Sequence, residues 1–243
     1  EAEGFQPKDR RSRPTARKEF YFDFGQGQGT WLEVGAQIFD RMWVPISIPN
    51  LTADWLGRAR NSPRVPSLSV LDASDALALV AVHTSMHSFV RSPYLRLHLD
   101  VHRTVVDNSI DWDRFMGNVC GLEVPTRIFT SLLLSKTLLD TPIPEDILRE
   151  LQPNGLRWRA IRSLIQRESI FATDFPKLKG AKAAFLDVAL DDRGPTVWAH
   201  SVVLPPTDWM RQRFDPSFRG RSTISLHLRR YLSLTTKWRR EVQ

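Results

Sequence analysis

Cysteine is almost missing from this chain of 243 residues. Cys120 stands alone, so no internal disulfide can staple the fold. Stability has to come from a packed core, which a chain of this length can build. A single thiol with no partner fits a reducing compartment and predicts a cytoplasmic setting. Long apolar runs are missing too. No stretch approaches the ~20 residues that a bilayer-spanning helix needs, so no membrane partner is predicted. Residues Glu1 to Lys18 are too polar for a signal peptide. Several catalytic signatures are also absent: G-x-x-x-x-G-K-[ST], G-x-S-x-G, the Rossmann glycine fingerprint and H-E-x-x-H. Their absence argues against P-loop NTPase, α/β-hydrolase, dinucleotide-binding and zincin readings.

Acidic residues are the minority, 27 against 34 lysines and arginines, for a net charge of +7. The excess sits at the two ends. Residues 1–18 hold six basic and three acidic side chains, and residues 205–243 hold nine and three. Basic ends attract phosphates, nucleic acid or anionic lipid, and they also occur on solvated helices that bind nothing. Trp198, Trp209, Phe214, Tyr231 and Trp238 interleave with arginines near the C-terminus, as a nucleic-acid surface would. Amphipathic packing with arginine on the wet face explains the same pattern.

The pattern of elements predicts an α+β chain. Residues 6–18 have no apolar periodicity and predict a loop. Glu19 to Phe24 alternates with aromatic residues and predicts a strand, GQGQG at 25–29 a turn, and residues 30–39 a second strand. Together they form a small antiparallel β-hairpin in a domain spanning 1–45. A mostly helical domain spans 46–243. Its centre is the stretch Ser69 to Phe115, where Asp72 and Ser74 supply helix-start oxygens before an unbroken run from Ala76 to Val82. That helix is apolar nearly all round, which predicts burial. Further helices are predicted at 51–60, 94–106, from 109 or 111 onward, and at 127–139, 141–151, 156–167, 177–190 and 223–240.

Four of the six histidines fall in the central stretch. His83 and His87 are spaced i,i+4, as are His98 and His102, with Asp100 between the second pair. Such histidines share a helix face and could share a metal. Hydrogen-bonded histidines at a helix interface, with Asp100 bridging to His83 or His87, are the alternative. Asp111 and Asp113 form a D-x-D, but they stand at a helix start, where acids cap free N–H groups. Glu33, in Trp31-Leu32-Glu33-Val34, is a carboxylate between apolar neighbours on a predicted strand. An exposed strand face explains it, and so does a metal-binding or base carboxylate at a sheet edge.

Taken in order, these segments resemble a bacterial nucleotidyltransferase family, itself uncharacterised, within the DNA polymerase β-like superfamily. Leu71 to Leu77 with His83-Thr84-Ser85-Met86-His87 is similar to that family's helix with two histidines. Tyr94 to Asp100 is similar to its next helix, and Ile110-Asp111-Trp112-Asp113 to its I-D-W-D segment. Thr141-Pro142-Ile143-Pro144, Leu204-Pro205-Pro206 through Arg213, the Tyr231 region and Glu3-Gly4-Phe5-Gln6-Pro7 extend the resemblance over nearly the whole chain. It implies transfer of a nucleoside monophosphate from an NTP to an acceptor hydroxyl. The implied machinery is two Mg²⁺ held by a strand-borne D-x-D and a third carboxylate, whose position Glu33 matches. No G-S dipeptide and no strand-borne D-x-D occurs in this sequence. The chain is therefore expected to be a C-terminal portion of such a protein, inactive alone. The alternative is a non-catalytic helical module that binds a protein or nucleic acid through its basic C-terminus.

Overall fold

The computed structural model describes residues 5–7, 17–25, 28–35, 51–62, 65–86, 95–167, 181–196, 204, 207, 210, 211 and 222–242. Contacts divide the chain into two units. One comprises Glu1–Met42 with Ala199–Gln243, and the other Trp43–Trp198.

The first unit carries a three-stranded antiparallel sheet in the order β1-β2-β3, formed by Phe5–Pro7, Arg17–Gly25 and Gln28–Gly35. The expected hairpin pairing is therefore present as β2 and β3, and Gly25, Gln28 and Gly29 of the segment expected as a turn belong to the strands. β1 is an addition, because residues 6–18 read as a loop from end to end. Its three residues pair Phe5 with Phe22, Gln6 with Tyr21 and Pro7 with Phe20. So short a strand carries too few residues for a period-2 pattern to show. Between Asp23 and Gly25 the β2–β3 pairing shifts by one residue, so Asp23 opposes Gly29 while Gly25 opposes Gln28. A bulge of this kind changes which residues face each other along the rest of a hairpin. The last helix, α9 (Thr223–Val242), belongs to this unit.

The second unit is helical: α1 (Leu51–Arg58), α2 (Ala73–Met86), α3 (Leu95–Val106), α4 (Trp112–Leu122), α5 (Pro125–Leu139), α6 (Glu145–Leu151), α7 (Gly155–Arg167) and α8 (Ala181–Leu190). A two-residue ladder, β4 (Arg60–Asn61) with β5 (Ser69–Val70), precedes α2. As expected from its composition, α2 is buried on most sides, packing on α3, α4 and α5. Leu77, Ala78, Ala81 and Val82 meet a core that includes Val101, Phe115, Val119, Ile128 and Leu132.

Hydroxyls on these central helices stay satisfied without water. Thr84 Oγ1 donates to the Val80 carbonyl at 2.8 Å, and Ser131 Oγ donates across from α5 to the Ala81 carbonyl at 2.5 Å. A buried hydroxyl without such a partner would be costly. Asp111 caps α4 by accepting from the Arg114 N–H at 3.0 Å, so the D-x-D serves as a helix start. Two helices end where no glycine signals it. Glu123 (φ 54°) and Asp140 (φ 51°) take the left-handed conformation that closes α4 and α5.

The segment after α5 is fixed by Thr141, which is buried. Its hydroxyl proton goes to the Ser135 carbonyl at 2.9 Å, so His102 Nδ1, 3.0 Å from Thr141 Oγ1, must be the donor in that second bond. Lys136 Nζ adds bonds to the Ile143 carbonyl at 2.9 Å and the Glu145 carboxylate at 2.6 Å. Replacing Thr141 with valine keeps the shape and removes both hydroxyl bonds. The expected loss is about 1–3 kcal/mol, read as a lower denaturation midpoint with an unchanged m-value in urea unfolding.

Candidate functional site

Glu33 is the sixth of the eight residues of β3, and its register partner on β2 is Glu19. Residues directly opposed in an antiparallel pair belong to the same face of the sheet, and like charges opposed in this way destabilise it. Two carboxylate residues therefore share one register position. Sequence reasoning missed Glu19. Counting back evenly from the Gly25–Gln28 pair sets Glu33 against Phe20, and only the bulge brings Glu19 opposite.

The histidine reading resolves residue by residue. His83 is half-buried on α2, and His87 lies outside the described residues. Asp100 is exposed on α3. His98 is fully buried, and His102 is committed through Nδ1 to Thr141. Among the described residues no cluster of three histidine, cysteine or acidic side chains could hold a metal.

Two charged networks organise the helical unit instead. The first centres on Asp75, fully buried in the opening turn of α2. Arg58, at the end of α1, donates to both of its oxygens, Nε to Oδ2 and Nη2 to Oδ1, each at 3.0 Å. Asn118 of α4 donates to Oδ1 at 2.7 Å. The hydrogen bond to Asp75 raises the Arg58 pKa above its ordinary value, against a smaller opposing effect of desolvation. Beside this hub, Asp72 Oδ1 accepts from the Ser74 N–H at 3.1 Å, and Arg114 Nη1 lies 3.2 Å from Asp72 Oδ2. Ser74 Oγ bonds to the Asp111 backbone as both donor, at 3.0 Å, and acceptor, at 3.1 Å. The starts of α2 and α4 are thereby locked together.

The second network lies at the start of α5. That helix has no cap of its own. Asp192, just beyond α8, accepts from the Thr126 N–H at 3.0 Å and from the Thr126 hydroxyl. Arg157 of α7 reaches Asp192 at 2.8 Å, the Ala189 carbonyl at 2.7 Å and the Asp191 carbonyl. Arg193 pairs with Asp191 at 2.8 Å. Arg127 is buried alongside. Desolvation lowers its pKa from the ordinary value, and the carboxylates of Asp187, Asp191 and Asp192 oppose that shift. Phe129 and Trp158 meet edge to face at 5.2 Å and complete the α5–α7 contact.

An open cleft of about 480 Å³ borders this network, with Met116, Val119, Leu151, Cys120, Glu150 and Arg193 among its lining residues. The Cys120 thiol is exposed there. Arg193 is committed to Asp191, and Asp192 to Arg157 and Thr126, so the charged groups on that side of the cleft hold the fold together. None of the candidate site residues read from the sequence, Glu33, His83, His87 and Asp100, lines the cleft.

No family model, no curated protein and no solved structure matches this chain. Its chemistry is therefore read from its own residues. The Asp75 hub makes a direct prediction. Asp75→Ala costs about 3 kcal/mol, the low end for a broken buried pair because Arg58 keeps 38% of its side chain exposed. In a double-mutant cycle, Arg58→Ala added to Asp75→Ala costs much less than it does in the intact protein. Full additivity in chemical denaturation would show that the pair is uncoupled.

Proposed function

We propose that this chain belongs to a nucleotidyltransferase of the polymerase β-like type, moving a nucleoside monophosphate from an NTP to an acceptor hydroxyl. The observation that carries this reading is the position of Glu33 on β3, directly opposed by Glu19 on β2 in an antiparallel sheet. The ordered resemblance from the N-terminal strands to the C-terminal helix supports it. Mg²⁺ is commonly held by one or two carboxylates together with substrate phosphates, so Glu33 and Glu19 suit one such ion. Mg²⁺ held there would supply Lewis-acid stabilisation of the attacking oxygen and of the leaving pyrophosphate. The acceptor oxygen bonds to the α-phosphorus as the bond to pyrophosphate breaks. Two further carboxylates, on a G-S/D-x-D strand pair, complete the chemistry and are not among these residues. By itself this polypeptide therefore transfers no nucleotide. A cytoplasmic setting, with NTP, Mg²⁺ and a reducing environment for Cys120, accords with the reading. Among the described residues no helix is long and apolar enough to cross a membrane.

Manganese titration followed by electron paramagnetic resonance, with Mg²⁺ as competitor, tests the metal assignment. Glu33→Gln is expected to weaken binding by at least about tenfold, and unchanged binding would exclude Glu33 as a ligand. Transfer is followed with α-labelled NTP. Label should enter an acceptor only when a polypeptide carrying the G-S and D-x-D strands is added. Incorporation by the chain alone would overturn the predicted dependence.

A further inference from the structure

The sheet of β1, β2 and β3 sorts its aromatic residues by kind. Counting by alternation from the Glu19–Glu33 pair, Tyr21 on β2 and Trp31 on β3 are directly opposed on that same face, and Gln6 of β1 is the other register partner of Tyr21. The row Gln6–Tyr21–Trp31 therefore crosses all three strands, two residues or about 7 Å along from the two glutamates. The three phenylalanines of the paired rows, Phe5, Phe20 and Phe22, fall on the opposite face together with Leu32 and Val34. An antiparallel sheet with one apolar face packs by that face and leaves the other to water or to a ligand. Tyrosine and tryptophan, flat rings with a polar edge, suit such a wet face. On β3 the positions that flank Trp31 and Glu33 on this face are Gly29 and Gly35, and strand glycines let a ligand come close to the backbone.

We propose that the opposed pair Tyr21–Trp31, one row from Glu19–Glu33 on the same face of the sheet, stacks the base of the nucleoside triphosphate whose phosphates those glutamates hold through Mg²⁺. This rests on the nucleotidyl-transfer reading, which supplies the nucleotide, and adds to it the residues that recognise the base. The base and the phosphates of a nucleotide are joined through a single sugar, so two adjacent rows are within reach of one molecule. The opposite face has no carboxylate in its paired rows and cannot combine a metal with a ring in this way. Every base has a π face to stack. The pair therefore supplies affinity for nucleotides over bare phosphates rather than a choice among bases.

The test compares ATP with inorganic tripolyphosphate, which has the phosphates without the base, on the purified full chain in Mg²⁺. Calorimetric titration should show ATP binding at least about fivefold tighter, the low end for stacking one base on an aromatic side chain. ATP should also quench tryptophan fluorescence, and tripolyphosphate should not. Trp31→Leu should bring ATP down to the affinity of tripolyphosphate and leave tripolyphosphate unchanged. Trp31→Phe keeps a ring at that position, so it should keep the ATP preference and lose the quench. Circular dichroism shows whether each variant folds, and the comparison of the two ligands on the unaltered chain needs no variant. Absence of ATP binding, or equal binding of ATP and tripolyphosphate, would overturn the proposal, as would a quench that survives in Trp31→Phe. A Trp31-dependent quench by oligoadenylate with none by ATP would also overturn it and assign the pair to a nucleic-acid acceptor. Glu33→Gln separates the stacking from the reading it rests on. Equal binding of both ligands that weakens with Glu33→Gln removes the stacking and leaves the metal site standing. Indifference of both ligands to Glu33→Gln removes the metal site, and the proposal with it.

Discussion

A charged carboxylate in the first turn of a buried helix has to be neutralised where it stands, and much of the helical unit follows from that requirement at Asp75. Water cannot reach it, so its partners must come from the protein. Arg58 brings the end of α1 and Asn118 brings α4. The Ser74–Asp111 backbone bonds and the Asp72–Arg114 pair then set the start of α4 against the start of α2. Apolar packing supplies most of the driving force, but it is tolerant of small rotations and shifts. The directional bonds around Asp75 fix the angle at which the helices meet.

The other end of the unit uses the same device with the roles reversed. There the buried group is a cation, Arg127, and the acids come from α8 and the residues just beyond it. Asp192 also caps α5, which begins with a proline and lacks a local cap. One aspartate thereby satisfies a helix terminus and anchors Arg157 of α7. Groups committed in this way are poor candidates for catalysis, because releasing them to a substrate would expose buried charge. The neighbouring cleft, although it carries an exposed thiol, is for that reason built mainly from structural parts. The candidate chemistry lies instead on the sheet, where Glu19 and Glu33 oppose each other.

Composition and periodicity were enough for the α+β class, the antiparallel pairing of β2 with β3 and the burial of α2. These follow from local rules: alternating aromatic residues favour a strand, a glycine-rich break favours a turn, and a run apolar on all sides has to be covered. The helix-capping role of Asp111 was equally legible, because an acid before W-D-R-F suits free N–H groups. The histidine spacing was legible as a pattern but not as a role. Only the fold shows that His102 donates to a threonine 39 residues further along.

Three features were decided by the tertiary structure alone. The short strand β1 exists because β2 offers it a ladder, and three residues carry no pattern of their own. The pairing of Glu19 with Glu33 depends on the bulge between Asp23 and Gly25, since a one-residue slip would set each glutamate opposite a different neighbour. The outward face of α9 reverses what its amphipathic sequence suggests, because Leu226 is buried while Ile224, Leu228 and Leu232 face solvent. Local sequence determines which segments form helices and strands, through propensity, capping and periodicity. Which faces of those elements meet depends on contacts between residues far apart in the chain, and these form only when the whole unit packs.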